Sequence, residues 1–296
     1  MLAYAILFFL AADPSRAAAD ALYQSGRYRE AALAYIELLR QAPDDTDLLD
    51  GAGRCLVGLG APDRAIPFFE RELGLRPLNL AAARSLSEAL LETGRFEEAH
   101  KLLTRIIASD PSDISSWARL GTLLYRNGYY PAALAAFNHT LAPGSGLEAG
   151  AVRNGIEVLR AISLVETGSL DEAALALPAL LARPDNSTNL DLLLSYVRLL
   201  YESGHYDEAL KQSDRSLVAG PANAAVHFWR ARLFQQGNEI ARAVAEAERS
   251  RELAPSSPAP RGLLVRLYQK AGRAEDASRE ASWLREHESA HGQEPR

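Results

Sequence analysis

His287-Glu288-Ser289-Ala290-His291 fits His-Glu-x-x-His, a spacing that can do metal chemistry. On a helix the two imidazoles share one face with the glutamate beside them, as a zinc-dependent hydrolase requires to hold metal and activate water. A catalytic zinc also needs a third protein ligand and a substrate cleft, and only five residues follow His291. The other reactive side chains are isolated. Cys55 is the single cysteine, so no internal disulfide forms, and its place within an apolar helical pattern reads as a buried thiol. His100, His139, His205 and His227 are scattered singly, and Asn138-His-Thr140 and Asn186-Ser-Thr188 fit glycosylation sequons. There is no phosphate-binding loop, nucleophile elbow or dinucleotide fingerprint. The expectation is a chain with no catalytic residues, no metal and no cofactor, with the zinc hydrolase as the enzymatic alternative.

The elements that would position any site are strongly periodic. Ala31, Ala65, Ala99, Ala133, Ala173, Ala209, Ala243 and Ala277 follow one another at steps of 34, 34, 34, 40, 36, 34 and 34 residues. A glycine precedes each alanine by five residues (Gly26, Gly60, Gly94, Gly128, Gly168, Gly204 and Gly272), except Gly237, which precedes by six. Prolines close most units, as at Pro43, Pro77, Pro111, Pro143, Pro184, Pro221 and Pro255. Such a period denotes stacked repeats, each too small to bury its apolar face alone.

One unit explains the others. Trp117, Leu120, Gly121 and Leu124 line one helix face. Asn127-Gly128 ends that helix, because glycine adopts a left-handed conformation without a Cβ clash. Tyr130-Pro131 opens a second helix whose stripe is Ala133, Phe137 and Leu141. The alanine lets two antiparallel backbones approach closely. Trp117-x2-Leu120-Gly121, Gly128, Ala133, Phe137 and Pro143 together resemble the tetratricopeptide repeat, as do Gly26-x-Tyr28-x2-Ala31-x3-Tyr35 and Gly204-x-Tyr206-x2-Ala209. Leu124 departs from the family's aromatic, Pro62 and Ala274 replace the aromatic after the turn, and the turn at Gly237 reads one residue longer.

The resemblance implies an all-α, right-handed superhelical solenoid of about eight helix-turn-helix repeats, at roughly 13–45, 46–79, 80–112, 113–143, 147–185, 189–221, 222–256 and 257–290. Repeats one to four form 13–143 and repeats five to eight, with a charged C-terminal cap helix, form 144–290, leaving a tail at 291–296. The longest step contains Pro143-Gly144-Ser145-Gly146 and Gly150, and the helix after it reads as unusually long, about 147–167. That segment is either a hinge between the halves or a surface insertion, since added loop length costs little.

Hydrophobic residues are 48% of the chain, charged residues 24%, and the net charge is −6. That composition suits a folded protein and argues against a general nucleic-acid binder. Lysine occurs only at 101, 211 and 270, and with so much Ala, Leu, Gly and Arg this points to a GC-rich bacterial genome. Leu2 to Ala12 are eleven apolar residues, too short to span a bilayer but matching a signal-peptide core. Cutting after Ala12 leaves Asp13-Pro14-Ser15 as a helix start; the expectation is an exported protein, periplasmic or extracellular, and the alternative is an apolar cap helix on a cytoplasmic one.

In the resembled family, first helices line a groove that holds peptides or partner helices. Here the implied groove positions are Tyr23, Arg54, Arg84, Glu88, Arg119, Tyr125, Arg126, Arg198, Tyr201, His227, Phe234 and Arg266. Arginine holds carboxylates bidentately and tyrosine supplies contact area at low entropic cost. The function expected is a non-catalytic scaffold binding a protein or peptide of acidic character. The same arginines also read as solvated helix positions lying over apolar neighbours, and self-association into an assembly is the structural alternative. The lysine and asparagine pattern of the family's carboxylate clamps is missing, which argues against chaperone C-terminal tails.

Overall fold

The computed structural model describes residues 15–291, with side chains to His287; Leu2–Ala12 and the end of the tail lie outside the described residues. The chain divides into two compact units, Met1–Glu148 and Ala149–Arg296. The first contains α1 (Arg16–Gln24), α2 (Tyr28–Gln41), α3 (Thr46–Gly58), α4 (Pro62–Leu75), α5 (Leu80–Glu92), α6 (Phe96–Ser109), α7 (Ile114–Arg126) and α8 (Tyr130–Thr140). The second contains α9 (Ala151–Glu166), α10 (Leu170–Leu181), α11 (Leu190–Glu202), α12 (Tyr206–Ala219), α13 (Ala224–Gln236), α14 (Ile240–Leu253), α15 (Pro258–Lys270) and α16 (Ala274–His291), with one short 3-10 turn at Pro184–Asn186. The described residues contain no strand, and the fold is an all-α repeat array.

Within each unit successive helices pack as antiparallel neighbours. First helices of adjoining repeats also touch: α1 with α3, α3 with α5, α9 with α11, α11 with α13 and α13 with α15. The register alanines sit at the crossings: seven are fully buried and Ala277 is 5% exposed. In the fourth repeat the backbones approach so closely that a Cβ on Gly121 would lie 2.6 Å from the Phe137 ring, and Gly53 meets Phe69 in the same way. One apolar cluster runs from Leu56 and Phe69 through Leu90 and Leu103 to Leu120 and Leu123, so neighbouring repeats share their core.

The turns repeat as closely as the alanines. Gly128 has φ +76°. Its N–H donates to the Tyr125 carbonyl and the Tyr129 N–H donates to the Leu124 carbonyl, the paired bonds that satisfy a helix end. All eight turns carry this pair. The turn at Gly237 corrects the reading of an extra residue. Gly237 is right-handed, at φ −72°, while Asn238 takes the left-handed position at φ 58°. Asn238 precedes Ala243 by five residues, so the register is unbroken; asparagine is the non-glycine residue that best tolerates that conformation. The expected long helix at 147–167 is shorter than read. It begins at Ala151, after Gly150, and spans 16 residues against 13 for α7. Side chains of Ser15, Asp45, Asn79, Asp113, Asn189 and Asn223 cap first helices, each worth about 1 kcal/mol.

Glu72 on α4 is an exception to apolar burial. It is 3% exposed; Asn79 Nδ2 donates to its Oε1 at 2.7 Å, and its Oε2 has no partner. Burial, reinforced by Asp50, pushes the carboxyl up to about 7. The folded state therefore binds this proton more tightly than the unfolded chain, so the stability it contributes is full below about pH 4.5 and is lost as pH rises through 7. Glu72→Gln is expected to raise stability by about 1–3 kcal/mol at pH 8 and to change it little near pH 4. Denaturant titrations of both proteins at the two pH values check this; an equal effect at both would refute the buried proton.

Candidate protein-binding surface

The first-helix arginines are engaged with the protein itself. Arg54 Nη2 donates to the Tyr23 hydroxyl at 3.0 Å, its guanidinium lies 4.8 Å over the Tyr23 ring, and Asp50 is 3.5 Å away. Arg84 Nε donates to Asp113 at 2.6 Å and lies 3.6 Å from Asp110. Burial would raise the Asp113 carboxyl, but hydrogen bonds from Arg84 and Ser116 outweigh it and hold it below the usual carboxylate range. Arg119 pairs with Glu88 at 3.4 Å. Arg198 pairs with Glu166 at 2.6 Å and Glu202 at 2.9 Å. Several of these contacts join neighbouring repeats, so these arginines pin the array together and offer few free N–H groups to a ligand.

Two sequence-predicted positions are buried rather than groove-facing. Phe234 is 2% exposed. It precedes Ala243 by nine residues, the offset of Leu56 from Ala65, Leu90 from Ala99 and Leu200 from Ala209, all of them core. His227 is 8% exposed; Glu246 lies 2.6 Å from its Nδ1 and the Pro221 carbonyl 3.0 Å from its Nε2. Glu246 also accepts from Arg230 Nε at 2.9 Å, and Arg230 reaches Asp214 and Ser213. This is a structural network between α12, α13 and α14. Tyr125 is half-buried with its ring against Tyr130 (centroids 5.7 Å apart), and Arg126 and Arg266 are exposed.

In the second unit Tyr201 belongs to a cluster that the sequence reading missed. Its ring lies 5.4 Å from Tyr206 and 5.5 Å from Trp229, whose ring is 5.9 Å from Phe228. The Arg232 guanidinium stands 4.2 Å over Tyr201, 4.6 Å over Trp229 and 5.9 Å over Phe228. Gln236 Nε2 donates to the Tyr201 hydroxyl at 2.8 Å. Tyr201, Phe228, Trp229 and Arg232 are all half-buried, so rings and cation both retain solvent-facing surface. The signal was available: Arg232 lies 34 residues after Arg198 and 34 before Arg266.

The motifs singled out for chemistry are placed elsewhere. Cys55 is fully buried, and burial pushes its thiol up to about 11, far from a reactive thiolate. Helix α16 carries His287, stacked on Trp283 at 4.4 Å; the side chains of Glu288 and His291 lie outside the described residues. Among the described residues no three His, Cys, Asp or Glu side chains converge as a metal site, and no described helix is long and apolar enough to cross a membrane.

Tetratricopeptide repeat family models match residues 16–79, 56–124 and 194–258. The chain belongs to the tetratricopeptide repeat family. The C-terminal part of a tetratricopeptide repeat-containing protein from Cytophaga hutchinsonii superposes with a TM-score of 0.57 at 14% identity, covering 83% of this chain and 98% of that one. The human IFIT1 dimer solved with m7Gppp-AAAA gives 0.52 at 18% identity, covering 90% of this chain and 66% of that one. At those identities the likeness is one of fold. Protein FlbA of Caulobacter vibrioides is 27% identical over 118 residues, which is 40% of this chain and 20% of FlbA. Tetratricopeptide repeat arrays are generally protein-interaction scaffolds, and the fold is typically non-catalytic.

Proposed function

We propose that this chain is a non-catalytic scaffold that binds a segment of another protein across the adjoining first helices α11 and α13. The observation that carries the reading is the half-buried cluster of Tyr201, Phe228, Trp229 and Arg232. Aromatic side chains and arginine dominate binding energy where proteins meet; rings offer large contact area with few rotors to freeze, and the guanidinium offers five donors in one plane. Here internal contacts already hold the rings, so little ordering remains to be lost on binding.

Site-specific photocrosslinking tests it. A benzoylphenylalanine at Gln236, beside the cluster, is expected to give adducts in cells of the source organism. The same residue at Val218, which is 85% exposed on second helix α12, is expected to give none. Adducts of equal yield from 218, or none from 236, would overturn the assignment.

A further inference from the structure

The same arginine–tyrosine stack occurs twice in this molecule. Arg54 lies over Tyr23 and Arg232 over Tyr201, each pair separated by 31 residues, and each arginine precedes its register alanine by eleven. The two arginines differ in what surrounds them: Arg54 donates to the Tyr23 hydroxyl, whereas the Tyr201 hydroxyl accepts from Gln236 and leaves Arg232 undirected toward it. Four residues before Arg54 stands Asp50, which neutralises it; four residues before Arg232 stands Phe228. Among the described residues Arg232 enters no ion pair. Its faces lie against rings, whose π electrons stabilise the cation while leaving the N–H edge of the guanidinium unfilled. One repeat further on, Arg266 holds the same register position on α15, exposed and likewise without an ion pair among the described residues.

We propose that Arg232 and Arg266 receive two side-chain carboxylates from an internal segment of a partner protein in the polyproline II conformation, spaced three residues apart with an apolar residue between them. The inference rests on the first-helix reading above and names what that surface recognises. The spacing follows from geometry. Helices α13 and α15 touch; packed helices lie about 8–10 Å apart, and three residues of polyproline II chain cover about 9 Å and return to the same face, whereas a β-strand would turn the two acids to opposite faces. An apolar side chain between the acids meets the Trp229 ring. A lone chain terminus supplies one anion and matches only one of the two cations, which favours an internal segment.

The test is selection from a random peptide library, displayed with both ends fused, against the full chain and three variants. Peptides carrying two Asp or Glu residues three positions apart around an apolar residue are expected to enrich on the unaltered protein. Arg232→Gln is expected to weaken an enriched peptide about tenfold, the loss of one charge-assisted pair. Arg54→Gln, which disturbs the neutralised copy of the stack, is expected to leave affinity unchanged, with circular dichroism melts verifying that both variants fold. Trp229→Ala separates the two claims. Enriched peptides without the acidic pair, or with affinity indifferent to Arg232→Gln but abolished by Trp229→Ala, would overturn the carboxylate assignment and leave the surface standing. Enrichment indifferent to both variants would overturn both.

Discussion

Phe137→Ala is expected to destabilise its repeat by about 3–5 kcal/mol, the range for truncating a buried aromatic. The ring is fully buried and lies where the Cβ of residue 121 would be. Gly121→Ala alone gains about 1 kcal/mol of helix propensity but drives a methyl into that ring, an overpacking cost of about 1–3 kcal/mol. With the ring removed, the same methyl enters vacated space. Gly121→Ala should therefore change sign, costing stability beside Phe137 and restoring some beside Ala at 137. Global melting of a repeat array need not be two-state, so amide exchange in α7 and α8 is the appropriate reading. If Gly121→Ala had the same effect in both backgrounds, the interlock of ring and glycine would not explain this residue pair.

Arg230→Met is expected to cost about 3–4 kcal/mol. Arg230 is 7% exposed, and its removal leaves the Glu246 carboxylate without the guanidinium that pairs with it at 2.9 Å. An uncompensated charge near the core costs far more than the intact pair contributes. The companion Arg230→Met/Glu246→Leu variant removes both charges and should be more stable than the single variant by at least about 1 kcal/mol. His227 would keep its contact with the Pro221 carbonyl. Exchange protection in α13 and α14 reads both. A double variant as unstable as the sum of its single changes would mean that the three side chains do not act as one network.

The repeats were legible because their turns and crossings admit few residue types. A left-handed turn needs glycine or asparagine, and a close crossing needs alanine, so chemistry and position coincide. The turn at Gly237 reads one residue longer only because that glycine stands beside Asn238, which takes the left-handed position in its place. The binding surface was less legible. Helical periodicity gives the direction in which Arg84 or Arg198 points, but not the carboxylate about thirty residues away that meets it, since Asp113 and Glu166 approach only through stacking. The angular position of Phe234 is that of a groove residue; only the buried leucines of equal offset, Leu56, Leu90 and Leu200, mark it as core. Arg232 shares the register of Arg198 and Arg266. The information that distinguishes it, Phe228 in place of an aspartate, becomes meaningful only beside the Arg54 stack.

The eight left-handed turns also set how the chain reaches this structure. Each is closed by hydrogen bonds between residues at most five positions apart, and the two helices it joins meet without help from distant sequence. Contacts this local favour rapid folding, because little chain must be searched before they form. A chain emerging from the ribosome can thus assemble one hairpin after another, each new hairpin docking on a surface already in place. Apolar faces are then exposed only at the growing end, which keeps the aggregation hazard of synthesis to about one repeat at a time.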